Sequence, residues 1–222
     1  MAAVLRYTDL WKPASELTGA QRAPKFAPLE VIGLNLFRDK GLARGSIAEI
    51  SGRRSSGRTA TCWHILAQAT RRGEVCAVID LYDTFHPASA AAAGVALDHL
   101  VWVRCRGNAE HAIRSADLLV HAGGFGLILL DLCDANPRVL NRIPLSYWYR
   151  FRRAVENTPT ILLICADRPQ AKSCSSTTLE LQPKQFRWSG KRPFLVLRGI
   201  EANAVLRSAA VPPEPVFIRS VA

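Results

Sequence analysis

An α/β fold is predicted, built on a mostly parallel, twisted sheet with helices on both faces and an antiparallel C-terminal extension. Three observations lead there. From Ser46 onward, short apolar runs alternate with helix-length segments in a repeated strand–helix order. The runs are continuously apolar instead of alternating with polar residues, as in strands buried on both faces. After Ala166 the helical segments stop, and short, polar, strand-like pieces take over.

Residues 1–45 are mixed in character, with Pro13, Pro24 and Pro28 and little periodicity, and read as an N-terminal arm with a short helix over Leu10 to Leu17. Ser46 to Ser51 reads as a strand, followed by a glycine-bearing loop and a helix from about Gly57 to Arg72. Val75 to Leu81 is the next strand, and a helix over Ala88 to Ala93 follows Pro87. Leu100 to Arg104 is a third strand; it leads into a helix from Asn108, a suitable N-cap, to Ala122. Leu127 to Leu132 is the most apolar strand. A helix over Leu145 to Glu156 and a strand over Thr160 to Cys165 complete the alternation. Thr177 to Leu181, Gln185 to Trp188 and Phe194 to Leu197 are the pieces of the antiparallel extension. The core domain spans 46–200, and residues 201–222, with Pro212, Pro213 and Pro215, are expected to be a loose tail or partner-binding arm.

The 222 residues, 49% of them hydrophobic, suffice for one sizeable core and fall short of two. No stretch approaches the roughly 20 apolar residues that span a bilayer, and residues 1–22 lack the layout of a secretory signal. A cytoplasmic protein without a membrane partner is expected. Six cysteines are scattered without C-x-x-C spacing, so disulfide frameworks and zinc sites are poorly supported, and buried thiols are expected. The net charge of +11 calls for anionic partners, nucleic acid first and an acidic protein surface second.

Chemistry concentrates in Gly52-Arg53-Arg54-Ser55-Ser56-Gly57-Arg58-Thr59. A strand precedes it and a helix follows, the setting of a phosphate loop, G-x-x-x-x-G-K-[ST]. There the glycines let backbone N–H groups wrap a polyphosphate, the lysine reaches its outer phosphates, and the hydroxyl helps hold magnesium. Arg58 stands where the lysine belongs. Its planar fork suits oxygen pairs at the rim of a site better than a point contact deep in a tight loop. Asp131, ending the apolar run Leu127-Ile128-Leu129-Leu130, is placed to hold magnesium together with Thr59. A bound magnesium ATP would therefore use Gly52 to Thr59 and Asp131.

Gly45-Ser46-Ile47-Ala48-Glu49-Ile50-Ser51-Gly52, running into Ser55-Ser56-Gly57-Arg58-Thr59, resembles the strand and loop of the RecA recombinase family. Cys76-Ala77-Val78-Ile79-Asp80, His86-Pro87, Ala93-Gly94-Val95 and Leu97-Asp98 fall at the spacing of that family's next segment. The resemblance covers roughly residues 30 to 166 and implies a RecA-like phosphate-loop core. The departures concern hydrolysis. Where the family has the glutamate that positions the attacking water, this chain has Tyr82, whose ordinary pKa of about 10 unsuits it as a base. Asp83 beside it is a substitute of shorter reach. The adenine-stacking tyrosine aligns with Ser89, and the sensing glutamine with Ala166. The first loop region, Ala135 to Leu145, is brief, and the second, Arg168 to Ser176, lacks a long glycine-rich stretch.

A basic, shortened chain with these losses resembles the ImuA family, RecA-like accessory components of bacterial mutasomes. That resemblance implies a role in damage-induced translesion synthesis, with DNA, an ImuB-type Y-family pseudo-polymerase and an error-prone polymerase as partners. Two alternatives stay open: a DNA-stimulated ATPase in which Arg58 and Asp83 replace the missing groups, and a protein-only regulator such as a RecA-derived cell-division inhibitor. Arg150, Arg152, Arg153 and Lys172 are the candidate DNA contacts. Trp148, between Tyr147 and Tyr149, is either a base-stacking platform beside them or a buried helix residue, and the sequence favours burial. If the loop holds no nucleotide, an ion pair between Arg58 and Asp131 is the expected internal substitute.

Overall fold

The computed structural model describes residues 26–27, 41–207 and 213–219. The expected helix over Leu10 to Leu17 lies outside the described residues. Two short strands, β1 (Phe26–Ala27) and β2 (Leu42–Ala43), pair antiparallel. The core follows as β3 (Ser46–Gly52), α1 (Arg58–Arg71), β4 (Cys76–Asp80), α2 (Pro87–Ala92), β5 (Leu100–Arg104), α3 (Ala109–Ala122) and β6 (Leu127–Asp131). Then come α4 (Pro137–Leu140), α5 (Leu145–Val155), β7 (Ile161–Ala166), β8 (Ser175–Ser189), β9 (Val196–Leu206) and β10 (Glu214–Arg219).

These strands form one sheet in the order β10-β9-β8-β3-β7-β6-β4-β5. From β5 to β8 all pairings are parallel, and β8-β9 and β9-β10 are antiparallel. The fold is the predicted α/β class. Continuous apolar runs supply both faces: Ala48, Ile50, Val78 and Leu129 pack with Ile65 and Leu66 of α1 on one side. Ile47, Ile79 and Leu130 pack with Ile113 of α3 and Phe151 of α5 on the other. Because β3 and β7 lie side by side near the middle, the loop after β3 sits beside the ends of β6 and β7, where α/β sheets place ligands.

The C-terminal part departs from expectation. The three short polar pieces are two long strands, β8 and β9, because register shifts in the β8-β9 ladder absorb Lys184 and Arg198 without ending either strand. The boundary at 200 falls inside β9. Where a loose tail is expected, β10 pairs with β9 and buries Val216 and Ile218 in the core, because those two residues lie on one face of the strand at a spacing of two.

Candidate functional site

Gly57 makes the turn into α1 in the left-handed region, at φ 89°, and its missing side chain leaves room for Ile218 of β10. The last strand of the sheet is thus packed onto the loop. Ser55 also has positive φ, and the Ser56 N–H donates to the Arg53 carbonyl. Ser56 Oγ is buried without a hydrogen-bond partner among the described residues. Arg53, Arg54 and Thr59 are exposed.

Arg58 is the centre of the arrangement. It is not at the rim: only 4% of it is exposed. One Nη donates back to the Gly52 carbonyl at the start of the loop. Nη1 also pairs with Asp167 Oδ1 at 2.6 Å, and Nη2 with Asp134 Oδ1 at 2.9 Å. Arg54 Nε reaches the same Asp134 oxygen at 2.9 Å. Asp167 Oδ1 in addition accepts the Asp134 N–H at 2.9 Å, so the two loops leaving β6 and β7 are tied to each other and to the phosphate-loop arginine. Hydrogen bonding from Arg54, with Arg58 adding to it, holds the Asp134 carboxyl below its ordinary range.

The expected Arg58–Asp131 pair is therefore replaced. Asp131 Oδ1 accepts the Cys133 N–H at 2.9 Å instead, in a turn that closes the end of β6, and burial raises its pKa. Arg58 pairs instead with the two carboxylates of the following loops, Asp134 and Asp167, while Asp131 Oδ1 is taken up by its own turn. Thr59 and Asp131 share no hydrogen bond among the described residues. Thr59 lines instead a small cavity of about 270 Å³ with Trp63, Ser89, Leu197, Ile200 and Arg219.

In this arrangement the loop does not fit a magnesium polyphosphate. Its arginine is already neutralised by two carboxylates, which phosphates would have to displace against like-charge repulsion. Behind the loop the donor set is soft: Asp131, Cys133 and Cys165 bring their ligand atoms within 4.8 Å of one another, with the two Sγ atoms 3.2 Å apart. Magnesium prefers oxygen donors, so thiols at this place do not favour it.

Asp83 sits at positive φ, with Oδ2 bound to Arg104 at 2.9 Å. Tyr82 beside it is exposed. Ser89 belongs to the cap of α2, its Oγ 2.8 Å from His86 Nδ1. Ala166 is buried at the end of β7. Glu49, in β3, is buried and accepts the N–H groups of Gln170 and Ala171 and the Thr178 hydroxyl, so it pins the second loop region to the sheet. Burial pushes its pKa up against those hydrogen bonds.

Of the DNA-contact candidates, Arg150 is bound to Asp117 of α3 at 2.7 Å. Arg152, Arg153 and Lys172 are exposed, the first two on the last turn of α5 and Lys172 in a short turn against which α5 packs. Trp148 is 3% exposed and packs edge-on to Phe151, so it is a core residue and offers no stacking surface. Asp134, Asp167 and the Cys133–Cys165 pair were not foreseeable from spacing, since the sheet brings them together from the ends of separate strands. The only hint in the chain was an aspartate just beyond each of two apolar runs.

Comparison with known proteins agrees with the α/β fold. Residues 32–138 match the model of the RecA N-terminal domain. Protein RecA of Rickettsia massiliae (strain Mtu5) is 37% identical over 91 residues, 41% of this chain and 26% of that protein. Protein RecA of Rhodospirillum rubrum is 40% identical over 91 residues, 41% of this chain and 25% of that protein. Protein RecA of Bifidobacterium breve is 40% identical over 91 residues, 41% of this chain and 23% of that protein. The chain thus spans about a quarter of the length of the curated relatives it matches. These matches support a relationship to the RecA superfamily. No helix among the described residues is long and apolar enough to cross a membrane.

Proposed function

We propose, for a chain related to the RecA superfamily across residues 32–138, that it is a DNA-damage-response accessory protein whose phosphate loop is closed by its own arginine. It works as an adaptor that contacts DNA and a polymerase partner, without efficient ATP hydrolysis. The observation that carries this reading is Arg58, held by the Gly52 carbonyl, Asp134 and Asp167 in the place of a phosphate-binding lysine. Tyr82 at the position of the water-positioning glutamate supports it from the side of the chemistry. An excess of eleven positive charges supports an anionic partner, and exposed Arg152, Arg153 and Lys172 are contacts for it. The ImuA-type resemblance supplies the setting, translesion synthesis beside an ImuB-type pseudo-polymerase and an error-prone polymerase.

The test is ATP turnover by the purified chain with and without single-stranded DNA, beside Asp131→Ala. Turnover indistinguishable between parent and variant, and unchanged by DNA, is expected. DNA-stimulated turnover that Asp131→Ala abolishes would overturn the reading in favour of an active ATPase.

A further inference from the structure

Beyond the end of β3 the sheet carries a projecting antiparallel ribbon, flanked by β10 as far as Gly199 opposite Arg187 and two-stranded at its tip. β8 pairs with β3 as far as Leu181, opposite Gly52. It then runs on to Ser189 alongside β9, a further stretch of about 25 Å at the usual strand rise. Residues 182–188 and 190–196 are exposed. Gly190 makes the turn at φ 93°, where a side chain would strike the Phe194 carbonyl.

The chemistry of this ribbon is one-sided. Residues 181–200 hold five cations, Lys184, Arg187, Lys191, Arg192 and Arg198, and no carboxylate. Arg187 is paired with Glu201, and Arg198 donates to Ser189. Lys184, Lys191 and Arg192 have no ion pair among the described residues. Three aromatic rings stand among them in solvent: Phe186, Trp188 (56% exposed) and Phe194 (82% exposed). Phe186 and Trp188, two apart on one strand, share a face. Rings held clear of the core and interleaved with uncompensated cations match a ligand that offers flat apolar faces and regularly spaced negative charge together. Unpaired bases on a phosphate chain have that combination, whereas a duplex hides its base faces in the stack.

We propose that the β8-β9 ribbon binds single-stranded DNA, with Trp188 and Phe194 stacking on bases while Lys184, Lys191 and Arg192 neutralise phosphates. This rests on the DNA-binding part of the function proposed above, and adds the ribbon to the contacts on and beside α5.

The experiment is fluorescence anisotropy of a labelled oligo-dT with the full chain across a range of salt. Three double variants accompany the parent: Trp188→Ala/Phe194→Ala, Lys191→Ala/Arg192→Ala and Arg152→Ala/Arg153→Ala. Unlabelled oligo-rU and phosphatidylserine vesicles serve as competitors, and urea midpoints show that each variant is folded. Loss of the two rings weakens binding roughly tenfold per ring. Loss of the two cations lowers the slope of log affinity against log salt by about 1.4. Undiminished binding by both ribbon variants, with loss in the α5 variant, would overturn the ribbon site and leave the DNA adaptor standing. A parent that fails to bind oligo-dT at low salt would remove both. Preference for vesicles or for oligo-rU over oligo-dT would also overturn the proposal, assigning the ribbon to another partner.

Discussion

Arg58 shows how one substitution redirects a site. A lysine ends in a compact ammonium on a flexible stem, whereas the guanidinium presents a planar fork that two carboxylates and a carbonyl can hold at once. Both groups carry the same charge, so composition hides the change and geometry exposes it. The arginine was plain in the sequence; its partners were not, because Asp134 and Asp167 reach it from loops 76 and 109 residues further along. Acid should loosen this closure. The Asp134 carboxyl is depressed by Arg54 and Arg58, and that of Glu180 by Arg207. Each stabilising share is therefore present above the ordinary carboxylate range and lost as pH falls through the depressed value. Urea midpoints measured downward from pH 6 should fall more steeply for the parent than for Asp134→Asn, which has already lost its share. Gly57 gives a second expectation at this scale. Gly57→Ala combines a left-handed backbone with a side chain forced against Ile218, and should lower unfolding free energy by about 2–3 kcal/mol in urea titration.

Among the elements, α5 separates packing from surface chemistry. Its sequence, Leu145-Ser146-Tyr147-Trp148-Tyr149-Arg150-Phe151-Arg152-Arg153, carries aromatics and arginines together, and helical spacing sorts them: Trp148, Phe151 and Val155 face the sheet. Trp148→Ala should lower unfolding free energy by about 3–5 kcal/mol, while Tyr149→Ala, at a largely exposed position, should change it by about 0.5 kcal/mol or less. Urea unfolding of both variants checks the contrast. Strands and helices from β3 to β7 were legible except α4 (Pro137–Leu140), whose single turn falls in the expected loop region and is too short to show a helical period; the Asn108 cap fell where expected, its side chain accepting the His111 N–H. The extension from β8 to β10 was less legible. β8 is exposed from Gln182 to Trp188, β9 and β10 alternate buried and exposed residues over part of their length, and Pro183 and Pro215 interrupt the pattern, so no local signal marks where each strand stops.

In the whole molecule, the strand ends where α/β sheets place ligands are closed from within. Parallel strands deliver the ends of β3, β6 and β7 to one place, and that place is occupied by a network of Arg58, Asp134, Asp167 and Arg54. β10 packs on the same loop through Ile218, so both the core and its last strand hold the closed form. Exposed positive charge includes groups on α5 and on the β8-β9 ribbon. The most direct measurement is equilibrium titration of the protein with a fluorescent ATP analogue and magnesium, beside the Arg58→Lys variant. The closed loop predicts no saturable binding by the parent, and any gain of binding only in the lysine variant. Saturable micromolar binding by the parent, with its arginine in place, would contradict it.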